Sequence, residues 1–101
     1  EESPAKEFIN SLSFIQKAKV SRIISYIEEY GLIIAIPHVK KLTGTPLWEI
    51  RILGQNNIRV LYATFKNNAI IILRGFIKKT QKTPSRELKT ALAKLRVLTS
   101  V

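Results

Sequence analysis

The chain has 101 residues, 46% of them hydrophobic, and a formal net charge of +10 from 17 Lys and Arg against 7 acids, every one a Glu. That length makes one domain, here spanning residues 1–101, with apolar residues enough to close a core. With no cysteine, no aspartate and a single histidine, His38, disulfide frameworks, thiol nucleophiles, Ser-His-Asp triads and metal centres lack their side chains, so neither metal nor cofactor is expected.

Ser3-Pro4 reads as a helix start, Ser at the N-cap and Pro at the first helical position, where its missing N–H is harmless. Ala5, Phe8, Ile9 and Leu12 give that helix one apolar stripe. Ser13 with Gln16 three residues on has the spacing of a capping box and opens a second helix. Its stripe is Val20, Ile23, Ile24, Ile27 and Tyr30, with Lys17, Lys19 and Arg22 on the solvated side and Gly31 as the stop. Residues 32–37, LIIAIP, fit a short strand or an apolar turn that Pro37 ends, and residues 38–46 read as a loop.

From Leu47 to Leu53 the pattern alternates, Trp48, Ile50 and Ile52 on one face and Glu49 and Arg51 on the other. Turn chemistry at Gly54–Asn57 leads to a strand from Ile58 to Phe65, with Val60 and Tyr62 on one side and Arg59, Leu61 and Phe65 on the other. Asn67-Asn68 makes a second tight turn, since Asn tolerates positive φ. Ala69–Ile77 is apolar on both faces until Arg74, the pattern of a central strand covered on both sides. Pro84 then opens a last helix, with Thr83 as cap and Leu88, Ala91, Leu92 and Leu95 as stripe. The fold class is α+β: two N-terminal helices packed on a small twisted antiparallel meander of three strands, plus a C-terminal helix.

A basic side chain interrupts each strand, at Arg51, Arg59 and Arg74, and the third runs into the basic loop Lys78-Lys79-Thr80-Gln81-Lys82. After Tyr30 there are thirteen basic residues and two acids, Glu49 and Glu87. Arginine is seldom buried without a partner, so three on one small sheet indicate a surface for an anion, either polyphosphate or an acidic protein. Structural uses compete: Arg51 could pair with Glu49 or Glu87, Tyr62 and Trp48 could be core aromatics, and Lys78 and Lys79 a solvated pair. Arg74, beside Gly75, suits structure and phosphate equally, and His38 reads as a loop residue. There is neither a Walker loop nor a dinucleotide fingerprint. What remains is a set of Arg, Lys and Tyr that can grip a phosphodiester and stabilise charge developing on it. RNA needs no metal for its own cleavage, because the ribose 2′-OH is an internal nucleophile that a protein has only to orient. Apolar runs such as Leu32–Ile36 are far short of the ~20 residues that cross a bilayer, and nothing resembles a signal peptide, so a cytoplasmic protein with no membrane partner is expected.

The strings LWEIR (Leu47–Arg51), IRVLY (Ile58–Tyr62) and GFIKKTQKTP (Gly75–Pro84), preceded by VKKLTG (Val39–Gly44), resemble the RelE/ParE toxin superfamily. More narrowly they resemble its HigB-like, phage-derived Gp49-type branch, over residues 5–97. The resemblance implies a RelE-like fold with two helices on one face of the sheet, and a first strand lying before Glu1. It implies the toxin of a type II toxin–antitoxin pair, an endoribonuclease that cuts mRNA in the ribosomal A site. Its partners would be a cognate antitoxin, a small helix-turn-helix protein, together with mRNA and the ribosome. Arg59 matches the arginine at the scissile phosphate, Arg51 a basic position on the preceding strand, and Lys78 or Lys79 the basic residue after the last strand. These four form the expected catalytic set; Lys41, in the loop before the sheet, Tyr62, Arg74 and Lys82 form the expected RNA-binding set. Some members use a Tyr or His near the C-terminus, and after Tyr62 this chain has neither, which leaves the general base unassigned. The ParE side of the superfamily implies another class of function, poisoning of DNA gyrase by protein binding without catalysis, and a nucleic-acid binder without activity is a third reading.

Overall fold

Short-range signals shape the N-terminal helices. The computed structural model describes residues 4–31, 39–52, 57–64, 69–79 and 82–99; Ser3, His38, Phe65, the 32–37 segment, the Asn67-Asn68 turn and most of the 54–57 turn lie outside them. Helix α1 spans Pro4–Asn10 and α2 spans Phe14–Tyr30. The capping box forms as spaced: the Gln16 N–H donates to Ser13 Oγ and the Ser13 N–H to Gln16 Oε1, both at 3.2 Å. Gly31 ends α2 at φ +85°, and its N–H reaches back to the Ile27 carbonyl at 2.9 Å. A side chain at that φ would be strained, which is why glycine stops the helix here.

Four strands follow, β1 (Val39–Lys41), β2 (Trp48–Ile52), β3 (Ile58–Thr64) and β4 (Ile70–Ile77), and then α3 (Ser85–Thr99). They form one antiparallel sheet in the order β1-β2-β3-β4. The sheet therefore has a strand more than the three expected. Val39–Lys41, read as loop, pairs with β2 through Val39 opposite Ile50 and Lys40 opposite Glu49. Three residues carry too little periodicity to announce a strand; the partner makes it one. Among the described residues β4 is an edge strand rather than a central one, and its apolar faces are covered by α1 on one side and α3 on the other.

Each face of the sheet has its own core. Val20, Ile23 and Ile27 of α2 pack with Val39, Ile50, Ile52, Ile58, Val60 and Tyr62, and Phe8, Ile9 and Leu12 close over them. Gly75 lets α1 approach β4, because a Cβ there would run into the Phe8 ring. On the opposite face Leu47, Leu61, Ala63, Leu73 and Phe76 pack with Ala91, flanked by Leu88, Leu92 and Leu95 of α3. Each fully buried aliphatic or aromatic side chain contributes roughly 1.5–3 kcal/mol. A register shift between Leu61 and Tyr62 leaves Leu73 as the extra residue on β4, so Leu73 and Arg74 both turn toward α3.

Candidate nucleic-acid interface

Helix α3 lies on β4 and part of β3 and leaves the rest of its face of the sheet uncovered. Side chains alternate, so the uncovered part shows what projects opposite the α2 core: Lys40 from β1, Glu49 and Arg51 from β2, and Arg59 from β3. With Asn57, Lys78 and Lys79 they line a cleft of about 540 Å³. Its charged residues are five cations (Lys40, Arg51, Arg59, Lys78, Lys79) and one carboxylate (Glu49), a local surplus of positive charge.

The register sets Arg51 directly opposite Arg59, an arrangement that destabilises a sheet unless something offsets it. Arg51 points to solvent and has no ion-pair partner among the described residues. Arg59 is buried, 8% exposed, and Glu49 beside it is 1% exposed. Glu49 Oε1 lies 3.6 Å from Arg59 Nε and 3.9 Å from Lys78 Nζ, while its Oε2 accepts a 2.6 Å hydrogen bond from the Thr83 hydroxyl. Arg59 Nη1 donates to the Ile58 carbonyl at 3.1 Å, and its Nε is buried with no hydrogen-bond acceptor among the described residues. Burial pushes the Arg59 pKa down, the Glu49 carboxylate opposes that, and Arg51 adds a further downward push. Asn57 adopts φ +45° and its carbonyl accepts the Lys78 N–H at 2.9 Å, which fastens the end of β4 to the start of β3. The Thr83 hydroxyl thus donates to the buried carboxylate, and the helix it was expected to cap starts at Ser85, its first bonds running from the Glu87 and Leu88 N–H groups to the Pro84 carbonyl.

The structure brings Arg51, Arg59, Lys78 and Lys79 together in one cleft. The other four expected residues fall elsewhere. Lys41 lies opposite Trp48 and sits 5.1 Å above its ring, on the α2 side of the sheet, and Lys40 is the lysine that reaches the cleft. Trp48 is half-buried against the α2 core. Tyr62 is fully buried in that same core, on the face away from the cleft, where burial pushes its hydroxyl pKa well up. Arg74 turns toward α3, its Nε donating to Glu87 Oε1 at 2.6 Å. Lys82 is exposed and does not line the cleft. Sequence reasoning missed Lys40, Glu49 and Asn57 as lining residues. Lys40 was within reach of it: with residues 39–41 paired to β2, alternation puts Lys40 beside Glu49.

Five cations converging on an open cleft suit a polyanion backbone, and Arg59 retains a buried donor without a hydrogen-bond acceptor among the described residues. No group of three or more His, Cys, Asp or Glu occurs among the described residues, and no helix among them is long and apolar enough to cross a membrane. Residues 7–96 match the family model described as phage derived protein Gp49-like (DUF891). No curated protein matches the chain.

Proposed function

Because the chain belongs to the phage-derived Gp49-like family, part of the RelE/HigB-like toxin superfamily of toxin–antitoxin systems, we propose that its cationic cleft cleaves RNA. The observation that carries the reading is the five-to-one balance of cations over carboxylate in an open cleft of nucleotide-scale volume. In this mechanism Lys40 and Arg51 hold flanking phosphates and so set the register of the strand. Arg59, Lys78 and Lys79 surround the scissile phosphate. The adjacent ribose 2′-OH attacks phosphorus, its oxygen forming the new P–O bond and its proton passing to water, while the bond to the 5′ oxygen breaks and that oxygen takes a proton from water. The products are a 2′,3′-cyclic phosphate and a free 5′-hydroxyl. The cations stabilise the phosphorane charge in a site where Arg59 is already out of water, which strengthens their effect.

The toxin works in the cytoplasm on mRNA held by the ribosome and is restrained by an antitoxin, a small helix-turn-helix protein whose acidic segment masks the cleft. Primer extension on cellular mRNA after induction tests this. Cuts in phase with codons are the expected result; intact transcripts with stalled gyrase would replace the nuclease with a gyrase poison. Any RNA that the protein cuts without ribosomes should also be cut in excess EDTA, because Glu49, the one carboxylate among the described lining residues, lies buried under cations. Activity that stops with chelator and returns with Mg²⁺ would overturn the metal-free route.

A further inference from the structure

We infer that Glu49 is the positioning residue of this cleft: buried beneath it, Glu49 sets the aim of Arg59 and Lys78 and is itself clamped by Thr83, without touching substrate. The kinetic consequence rests on the nuclease reading; the geometry does not.

Arg59 from β3, and Lys78 and Thr83 from the segment between β4 and α3, converge on this one carboxylate. A carboxylate at 1% exposure is costly unless partnered, and here the partnering is divided. Oε2 takes a short hydrogen bond from a neutral hydroxyl at 2.6 Å, which fixes the carboxylate. Oε1 faces two cations at 3.6 and 3.9 Å, beyond the ~2.7–2.9 Å of a close charge-assisted hydrogen bond. It therefore attracts both cations without consuming their donors. Arg59 Nε makes no hydrogen bond among the described residues, and Arg59 spends only Nη1, on the Ile58 carbonyl. The buried Nε is thus held beside the carboxylate, and the part of the Arg59 side chain that lines the cleft is left to meet phosphate oxygens.

Charge balance leads to the same role. Arg51 and Arg59 are directly opposed in the sheet, and Lys40, Lys78 and Lys79 line the same cleft. Without Glu49 nothing among the lining residues offsets their repulsion, and the flexible side chains would splay toward water. A phosphate would still be attracted, but not by groups aimed at the reacting atoms. Misplacement by about 1 Å can reduce a rate on the order of a hundredfold.

The test compares Glu49→Gln, Arg59→Ala and the double variant. Single-turnover cleavage is measured on ribosome-bound mRNA, and binding on the same mRNA with a 2′-O-methyl group at the cleavage site. Glu49→Gln keeps the shape and adds one net positive charge, so binding should hold or tighten while cleavage falls about ten- to a hundredfold. The double variant should lose clearly less than the product of the two single losses, because both changes act on Arg59 and only the share that runs through Lys78 adds to Arg59→Ala. Cleavage within about twofold of the parent, parallel loss of binding and cleavage, or multiplying losses would each overturn the inference. Thr83→Val, which removes only the clamp, should shift cleavage the same way by a smaller factor and stands in if Glu49→Gln does not fold. A second readout separates this inference from the nuclease reading. The Arg59 Nε–H resonance, assigned by its absence in Arg59→Ala, should move and exchange more than tenfold faster with water in Glu49→Gln or Thr83→Val. If the parent cuts no RNA, the nuclease reading fails and this resonance still decides; an unmoved signal overturns the positioning role.

Discussion

Two arginine–glutamate pairs sit on the same face of one small sheet, and they are built differently. Under α3, Arg74 Nε meets Glu87 Oε1 at 2.6 Å, one guanidinium on one carboxylate at hydrogen-bonding distance. Arg86 approaches the other Glu87 oxygen at 3.8 Å from a position 86% exposed, where water screens the pair and its contribution is small. Under the cleft, Arg59 meets Glu49 at 3.6 Å, shares it with Lys78, and faces Arg51 across the sheet. The first pair is closed and ties α3 to β4. The second leaves Arg59 Nε without a hydrogen-bond acceptor among the described residues and the cleft with unbalanced charge, which is an arrangement suited to an anion that is not part of the chain.

Arginine substitutions test this contrast most strongly. Arg59→Ala should slow RNA cleavage about a hundred- to a thousandfold, or ~2.7–4 kcal/mol, the loss typical of one group that stabilises transition-state charge. It should remain folded, because Glu49 keeps Thr83 and Lys78. Arg74→Ala should do the reverse, leaving cleavage within about twofold and lowering stability in urea by about 1–3 kcal/mol as Glu87 stays buried without its main donor. A folded, fully active Arg59→Ala protein would remove the distinction between the pairs, as would an Arg74→Ala protein that is stable but inactive.

Neighbouring lysines give a smaller effect of the same kind. Lys40 lines the cleft and Lys41 lies over Trp48 on the other side of the sheet. If each phosphate contact adds about 0.7 to the slope of log affinity against log salt for single-stranded RNA, Lys40→Ala should flatten that slope by about this amount. Lys41→Ala should leave it unchanged. A salt titration in which the two variants behave alike would place the RNA elsewhere.

Tyr62 shows where legibility ended. Alternation along β3 already set Tyr62 with Val60 and opposite Arg59, and the structure buries it against α2. The inventory of Arg, Lys and Tyr side chains able to grip a phosphodiester, not periodicity, is what placed it at the RNA. Tyr62→Phe should accordingly leave cleavage unchanged and stability equal or slightly higher, since its hydroxyl has no partner among the described residues; a clear loss of RNA affinity would return it to the site. Local signals were readable because their partners are close in sequence: the Ser13–Gln16 capping box, the Gly31 stop, and the alternation of Trp48, Ile50 and Ile52. Glu49 was not, because a glutamate beside an arginine in an alternating strand looks solvated, and its burial depends on Thr83, 34 residues away. Thr83 does not cap α3 because that helix starts at Ser85, which puts Pro84 rather than Thr83 at the flanking position. Strand β1 was hidden for a related reason, its three residues becoming a strand only through pairing with β2.

Lys94, a cation with no carboxylate partner among the described residues, completes the comparison and predicts the smallest change. It projects from α3 into a groove shared with Ile72, Ala93, Val97 and Leu98. Its Nζ is buried without a hydrogen-bond partner among the described residues. Burial, and then Arg74, lower its pKa from the ordinary lysine value of 10.5. With the folded pKa below the unfolded one, the unfolded chain binds more protons in the window between them. Stability therefore rises as pH climbs through that window, and the penalty is fully present below it, at neutral pH. Lys94→Met keeps the length and the packing and removes the charge. At neutral pH it should stabilise the protein by about 1 kcal/mol, or about 4 °C in Tm for a domain of this size, without affecting cleavage. The gain should shrink as the melts are repeated toward pH 10.5. A gain that is constant with pH would mean that Lys94 is limited by packing and not by its charge, and the α3 side of the sheet would then hold no unbalanced cation to set against the cleft.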